Sequence, residues 1–398
     1  MIPQLRKEFN QNFTKEKYET FLYELSNIHP GAIQFRVAET PIFVPNDFSK
    51  KIFDACESIV DIIADPKFKA LTRDSIPKHI QVGGENDHTH FLAFDFGICL
   101  NKAGEYEPAL IEMQGFPTLF GYEVLLDDIF RKHFPVPDNF SCYPGKYDKD
   151  SYLKLLKEII VGNEHPENVI LLEVFPHQQK TRIDFYCTQD YLGLKPVCLT
   201  ELIREGNTLY YMNDGKKTQI KRIYNRLIFD DLHQQSPEVQ AKGNILSGEL
   251  DVKWIPHPNW FYRISKYTIP FIHHPYVPKT YFLDQIKQVP ADLENYVLKP
   301  LFSFAGQGVV IDVSAADIEN VKDPENWILQ QKVRYADVIE TPDVPAKAEI
   351  RIFYFWKEGA PRPVPTNNLA RLSKGKMIGV RYNKDQEWVG SSFCLFEK

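Results

Sequence analysis

The sequence predicts a fold that mixes α+β and α/β architecture. Segments of strand length alternate with helical segments over residues 151–200, which is typical of a parallel sheet with crossover helices. Two apolar runs flank the polar turn Lys102–Glu107, which predicts a hairpin. From about Val252 onward, short helices mix with long strands, a pattern that favours antiparallel sheet. We therefore expect antiparallel sheet on both sides of a small doubly wound unit.

The individual elements follow from apolar periodicity and from the positions of proline and glycine. Helices are predicted over Lys15–Asn27, Asp47–Ala64, Tyr122–His133, Ser151–Val161 and Thr181–Tyr191. Strands are predicted over Ala32–Val44, His90–Asn101, Pro108–Gln114, Val169–Val174, Lys195–Thr200, Ile220–Phe229, Tyr296–Lys299, Val309–Val313, Trp327–Val333, Glu349–Trp356 and Met377–Arg381. The stretch Phe134–Asp150 is rich in turn-forming residues and is the best candidate for a linker.

Composition excludes several classes of protein. The chain has 398 residues, a formal net charge of −6 and a pI near 6.0, which argues against a nucleic-acid binder. Its six cysteines form no C-x-x-C pair, so we expect a reducing, cytoplasmic setting without a zinc knuckle or a disulfide framework. No apolar run approaches the roughly 18 residues that a membrane helix needs, so no membrane partner is expected.

The run Tyr296–Val310 is the most informative segment. A strand ends at Lys299, and a short loop with Ser303, Gly306 and Gly308 leads into a second strand. Backbone N–H groups of such a loop can close over a polyphosphate, while the lysine adds a point charge. Taken alone, the same pattern also fits a plain hairpin.

The neighbours of this run favour the nucleotide interpretation. Lys266 closes a predicted helix upstream, and the strand ending in Gln331, Lys332 and Val333 follows downstream, before Glu349 and then Lys374. In this order of elements, from about Pro256 onward, the chain resembles the ATP-grasp superfamily. It is similar to the circularly permuted branch that includes glutathione synthetase and glutathionylspermidine synthetase.

In that branch the magnesium ligands come from early in the chain. The predicted hairpin carries Asp95 on one strand and Glu112 with Gln114 on the next, and paired antiparallel strands can bring them to one face. Such oxygen ligands suit magnesium that bridges phosphates. A half-buried hairpin with solvated acids is the alternative. Two positions depart from the family, since Gln114 replaces an Asn and Ser303 replaces an acidic metal ligand.

The resemblance implies a role for each candidate residue. It implies an ATP-grasp fold with a preceding or inserted doubly wound substrate domain, divided here as residues 1–145, 146–250 and 251–398. Arg351 and Arg371 would stabilise charge on the transferred phosphoryl group, and Asp95, Glu112 and Gln114 would hold Mg²⁺. The ATP contacts would be Lys266, Lys299, Ser303, Phe304, Ala305, Gly306, Gln307, Gly308, Gln331, Lys332, Val333, Glu349 and Lys374.

Two further groups of polar residues are candidate ligand sites. Arg222, Tyr224 and Arg226 share one face if their segment is extended, so they form a possible carboxylate site or merely an exposed strand face. We predict that Tyr224, Arg226 and, from the early strand, Arg36 bind substrate. A zinc site at His88-Thr89-His90 is not expected, because no third soft ligand is evident.

The resemblance implies an ATP-dependent carboxylate–amine ligase that uses ATP and Mg²⁺ and proceeds through an acylphosphate. Its partners would be small-molecule or peptide-like carboxylates and amines, and a homodimer is possible. The alternative is an ATP-grasp-like nucleotide-binding protein without turnover. A Ser or Cys hydrolase is disfavoured, because the sequence has no G-x-S-x-G elbow.

Overall fold

In the computed structural model of the protein, the described residues form five sheets flanked by helices. The structure describes residues 1–78, 80, 82–302, 307–375, 378, 383 and 385–398. The α-helices are α1 Pro3–Asn12, α2 Lys15–Ile28, α3 Asn46–Ile63, α4 Phe68–Leu71, α5 Phe120–His133, α6 Lys149–Ile160, α7 Arg182–Leu192, α8 Phe229–Leu232, α9 Pro237–Lys242, α10 Asn259–Arg263 and α11 Ala315–Glu319. The strands are β1 Ile42–Val44, β2 Phe91–Leu100, β3 Tyr106–Gln114, β4 Phe140–Ser141, β5 Val169–Glu173, β6 Lys195–Cys198, β7 Ile203–Glu205, β8 Thr208–Asn213, β9 Lys216–Ile220, β10 Arg222–Asn225, β11 Lys253–Ile255, β12 Thr280–Phe282, β13 Tyr296–Pro300, β14 Trp327–Gln331, β15 Lys347–Phe355, β16 Val364–Ser373, β17 Gly390–Ser392 and β18 Cys394–Glu397.

A five-stranded antiparallel sheet, here the central sheet, joins residues from both ends of the chain in the order β17-β16-β15-β2-β3. One of its faces is apolar and packs against α3, for example through Phe94 and Ile352. The opposite face carries charged residues at its middle, among them Asp95, Arg351 and Arg371. Because side chains alternate along a strand, one sheet supplies both a core and a polar surface.

A four-stranded parallel sheet in the order β11-β10-β5-β6 forms the middle of the molecule. The predicted parallel unit of strands and crossover helices is therefore present. Residues Ile170, Leu172 and Trp254 pack on one side, towards the small antiparallel sheet β7-β8-β9. Since β11 lies at 253–255, the sheet continues past residue 250, the expected domain boundary.

A three-stranded antiparallel sheet in the order β12-β14-β13, here the lid sheet, carries Lys299 at the end of β13. The remaining sheet, β1-β18-β4, pairs an early strand with the last one. Among the described residues, no helix combines the length and the apolar character needed to cross a membrane.

Four sequence predictions of local structure need correction. The strand predicted over Ala32–Val44 shrinks to β1 plus a bridge at Val37, because Pro41 and Pro45 flank it and donate no N–H. The strand over Val309–Val313 is a single bridge from Val310 to Leu298. The helix before Lys266 ends at Arg263, so this lysine lies in a turn. The predicted linker contains β4, which pairs with β18. Most of the strand predicted over Met377–Arg381 lies outside the described residues.

Candidate functional site at the central sheet

Asp95 and Glu112 stand directly opposite each other on β2 and β3, on the polar face of the central sheet. Gln114 pairs with Ala93 in the same register, and its Nε2 donates to Glu112 Oε1 at 3.1 Å. The predicted juxtaposition of the two acids on one face is thus present in the structure. Their role as metal ligands stays a prediction.

The alignment of these acids depends on a β-bulge in β3. The register shifts between Asp95 and Phe96, so Glu112 and Leu110 face consecutive residues of β2 and Ile111 is the extra residue. The Ile111 carbonyl accepts a hydrogen bond from Lys299 Nζ at 3.4 Å, which brings the lid sheet against the central sheet. The bulge therefore supplies one contact between the two sheets.

Four cations surround Glu112. Burial alone would raise its pKa, but the charges of Arg371, Arg351, Lys266 and Lys299 lower it to about 2. Arg351 Nη2 lies 3.8 Å from Glu112 Oε1. Glu112 is half-buried, with a side chain 34% exposed, so a ligand can reach this carboxylate.

The two lysines approach from different elements. Burial lowers the pKa of Lys299 to about 8, with Glu112 opposing the shift, and it also lowers the pKa of Lys266. Lys266 is placed by its turn, because the Ile264 carbonyl accepts from the Gly115 backbone N–H at 2.9 Å. A Cβ at Gly115 would lie 2.3 Å from the Trp260 carbonyl oxygen, so only glycine permits this approach.

The fully buried Asp95 carboxylate belongs to a network of arginines. Arg351 Nε donates to Oδ1 at 2.6 Å and Arg351 Nη2 to Oδ2 at 2.5 Å, and Arg371 Nη2 donates to Oδ2 at 3.2 Å. Burial raises the pKa of Asp95, although the arginines oppose the shift. Both oxygens accept from arginine, so Asp95 holds Arg351 and Arg371 in place, and its predicted metal coordination stays a prediction.

Glu349 also accepts a hydrogen bond at each of its carboxylate oxygens. Its Oε1 accepts from Arg371 Nη2, and its Oε2 accepts from the Tyr335 hydroxyl at 3.2 Å. The Tyr335 ring covers Gly97, where an added Cβ would lie 2.7 Å from Cε1. Tyr335 and Gly97 were not singled out by sequence reasoning, since a tyrosine in a loop and a glycine in a strand carry no distinctive pattern. The predicted contact of Glu349 with ribose or metal remains a prediction.

The flap and hinge residues are only partly described. Ser303, Phe304, Ala305 and Gly306 lie outside the described residues. Gln307 is exposed, and Gly308 has φ +73°, which favours glycine. In the hinge, the backbone N–H groups of Gln331 and Lys332 donate to Lys279 and Asn295 at 2.8 and 2.7 Å. The Val333 side chain lies beside Gly97.

Lys374 and Arg36 have partners of their own. Lys374 Nζ donates to both Asp343 oxygens at 2.6 and 2.8 Å, in a groove that Trp388 also lines. Arg36 is paired with Glu39, whose other oxygen accepts from the Trp388 N–H. The structure groups these two cations around Trp388, whereas Lys266 and Lys299 meet at Glu112. It does not bring all the predicted site residues into one cluster.

Arg226 and Tyr224 lie at the carboxyl end of the parallel sheet, where ligands of such sheets bind. Arg226 Nη1 donates to the Pro117 carbonyl at 2.6 Å, and its guanidinium lies 4.5 Å from the Phe116 ring centroid. Tyr224 is fully buried, which overturns the interpretation of an exposed strand face. Arg222 instead donates to the Ile160 and Ile159 carbonyls at the end of α6.

The segment from Glu112 to Pro117, here the connecting segment, therefore links two regions. At one end it carries Glu112 and Gln114 beside the lysines, and at the other it contacts Arg226. The pKa of nearby Glu173 is raised to about 8 by burial.

Comparison with solved structures finds similarity at the level of the fold. A solved structure of a glutathione synthetase-like effector from Globodera pallida, in its apo form, aligns with a TM-score of 0.58 over 98% of this chain and 97% of that chain. The chain shares the fold of this glutathione synthetase-like protein. Sequence identity is 12%, so the likeness concerns the fold alone. No family model matches the chain, and no curated protein matches it.

Proposed function

We propose that the protein is an ATP-dependent carboxylate–amine ligase of the glutathione synthetase-like type. The observation that carries the proposal is the convergence of Lys266, Lys299, Arg351 and Arg371 on the half-exposed Glu112. Four cationic side chains there face the three carboxylates of Asp95, Glu112 and Glu349, which leaves an excess of positive charge that suits a polyphosphate.

Magnesium is the metal that the fold resemblance implies, and only part of the predicted ligand set fits it. Asp95 is fully engaged by arginine, whereas Glu112 is half-exposed and Gln114 presents an amide at the same edge. Mg²⁺ is commonly held by one or two carboxylates together with substrate phosphates. Glu112 and Gln114 would hold the ion, which would neutralise phosphate charge when bound.

In the proposed reaction, a substrate carboxylate oxygen attacks the γ-phosphorus and the bond to the β-phosphate oxygen breaks, releasing ADP. A neutral amine then attacks the acyl carbon, the bond to phosphate breaks, and the nitrogen loses a proton to solvent. The lysines bind and orient the phosphates. Arg371, whose side chain is 36% exposed, can reach the transferred group, whereas Arg351 at 10% is anchored on Asp95. Arg226 would bind the substrate carboxylate.

A second candidate is nucleotide binding without turnover. It is favoured by the full engagement of Asp95 and Glu349 and by Ser303 at a position where the resembling family has an acid. Both candidates predict binding of ATP, and only the ligase predicts release of ADP that depends on an acid and an amine.

The test has two measurements. ATP with Mg²⁺ should raise the melting temperature, because a ligand of the folded state stabilises it, and Lys299→Ala should abolish most of that rise. The exposed Lys7→Ala on α1 is the matched control and should keep the full shift. ADP release is then assayed over a panel of acids and amines. Binding without any release supports the second candidate, and an undiminished thermal shift in Lys299→Ala contradicts both.

A further inference from the structure

Gln330 lies on the face of the lid sheet that carries Lys299. In the register of β14 it pairs with Val297 and with Thr280, while Lys299 pairs with Ile328. Residues directly opposite in antiparallel strands share a face, and positions two apart return to it. Gln330 is only 1% exposed, so a polar amide is buried at the junction of the lid sheet and the central sheet.

Lys299 fixes the orientation of this amide. Lys299 Nζ lies 2.6 Å from Gln330 Oε1. An ammonium group can only donate, so its partner must be the amide oxygen, and the Nε2 end points away from the lysine. Within the described parts of the chain, the buried Gln330 Nε2 has no hydrogen-bond partner. A buried donor without an acceptor destabilises the protein, because it has lost its hydrogen bond to water. An acceptor atom on a bound ligand would remove that cost.

The location of Lys299 narrows the chemistry of that acceptor. If this lysine binds phosphate, Gln330 Nε2 lies close to where the base and the 5′-phosphate of a nucleotide approach each other. In the anti conformation, the edge of a purine that carries C8 and N7 lies on the side of the 5′-phosphate. N7 is an acceptor only, and therefore complements a donor that has no other partner.

We propose that Gln330 is a specificity-determining residue that donates from Nε2 to N7 of a purine nucleotide. The inference rests on the proposed function, because it needs a nucleotide bound beside Lys299. It assigns the preference for a purine over a pyrimidine base to a single buried side chain. The same amide holds Lys299, so base recognition and phosphate binding are coupled.

The test compares the affinities of ATP and 7-deaza-ATP, which lacks only the N7 acceptor, by calorimetry. The wild-type protein should bind 7-deaza-ATP about fivefold more weakly, the range expected for one buried neutral hydrogen bond. Gln330→Met removes the donor at similar volume and should bind both nucleotides equally. Gln330→Glu keeps an acceptor for Lys299, lacks the donor, and should also lose the discrimination.

Gln285→Met, an exposed glutamine next to the lid sheet, is the matched control and should retain the fivefold preference. Equal affinity of the wild-type protein for the two nucleotides overturns the inference while leaving the proposed function intact. Discrimination that persists in Gln330→Met or Gln330→Glu overturns it too. If the wild-type protein binds neither nucleotide, the proposed function fails and the inference fails with it. The wild-type comparison needs no variant, so it decides even if a substitution impairs folding.

Discussion

Lys299 is the residue on which the proposed site depends most. It is partly buried, its Nζ donates to Gln330 Oε1 and to the Ile111 carbonyl, and desolvation lowers its pKa to about 8. A lysine in this range is mostly charged at neutral pH and becomes neutral a little above it. Its usefulness as a phosphate ligand should therefore vary with pH within an accessible range.

We predict that affinity for ATP falls as the pH rises from 7 to 9. Lys299 loses its proton across that interval, and the neutral amine no longer attracts the phosphates, so the loss should be on the order of tenfold. Lys299→Arg stays charged throughout and should give a much flatter profile. Calorimetric titrations at half-unit steps of pH make the measurement. Parallel profiles for the two proteins would contradict the role given to Lys299.

At the scale of elements, the connecting segment decides where the functional groups lie. Gly115 comes directly after β3 and packs against the Trp260 carbonyl, while its N–H donates to the Ile264 carbonyl. Two residues later, the Pro117 carbonyl accepts from Arg226. The connecting segment thus contacts the turn that carries Lys266 at one residue and Arg226 at another. Its conformation determines how these two cations lie relative to Glu112.

We predict that Gly115→Ala lowers both stability and affinity for ATP. The new Cβ would lie 2.3 Å from the Trp260 carbonyl oxygen, so the turn that carries Lys266 must move. Overpacking of this kind typically costs about 1–3 kcal/mol. Urea unfolding and calorimetry measure the two effects.

Gly104→Ala is the matched control for that variant. It lies in the hairpin turn with φ +81° and open space around it, so it should lower stability by about 1 kcal/mol and leave affinity unchanged. A loss of affinity in both variants would mean that Gly115 has no special link to the site.

Sequence patterns predicted the elements better than their junctions. The hairpin of β2 and β3 and the alternation of strands and helices in the middle of the chain follow from apolar periodicity, which is a local property. The bulge at Ile111, the end of α10 before Lys266 and the cover of Tyr335 over Gly97 depend on contacts between distant segments. No local pattern encodes these contacts. The order of motifs along the chain therefore predicted that the cations lie near Glu112, but it did not predict the hydrogen bonds between Asp95 and the two arginines.

At the scale of the whole molecule, the central sheet joins distant parts of the chain. Strands β2 and β3 come from residues 91–114, whereas β15, β16 and β17 come from residues 347–392. The buried Asp95 on β2 accepts hydrogen bonds across this junction, because Arg351 and Arg371 both belong to the later strands. The arginine network therefore holds early and late segments together as well as positioning charge.

We predict that Asp95→Asn lowers the free energy of unfolding by about 3–5 kcal/mol, because it leaves the buried Arg351 without its anionic partner. The exposed acid Asp61, which pairs with Arg362 at 3.1 Å, offers the control, and Asp61→Asn should cost no more than about 1 kcal/mol. Urea unfolding without added metal or nucleotide measures both. A small change in Asp95→Asn, together with a loss of affinity for Mg²⁺, would instead support Asp95 as a metal ligand.

The bulge in β3 also has a consequence for insertions and deletions. Leu110 is fully buried in the apolar core beneath the central sheet, and Glu112 lies on the opposite, polar face, although residues two positions apart in a regular strand would share one side. Ile111 is the surplus residue that lets both demands be met. A chain shorter by this one residue could keep Leu110 in the core or Glu112 among the lysines, but not both. Whether the polar face presents a carboxylate to the lysines is thus decided by the number of residues in β3 as much as by their identity.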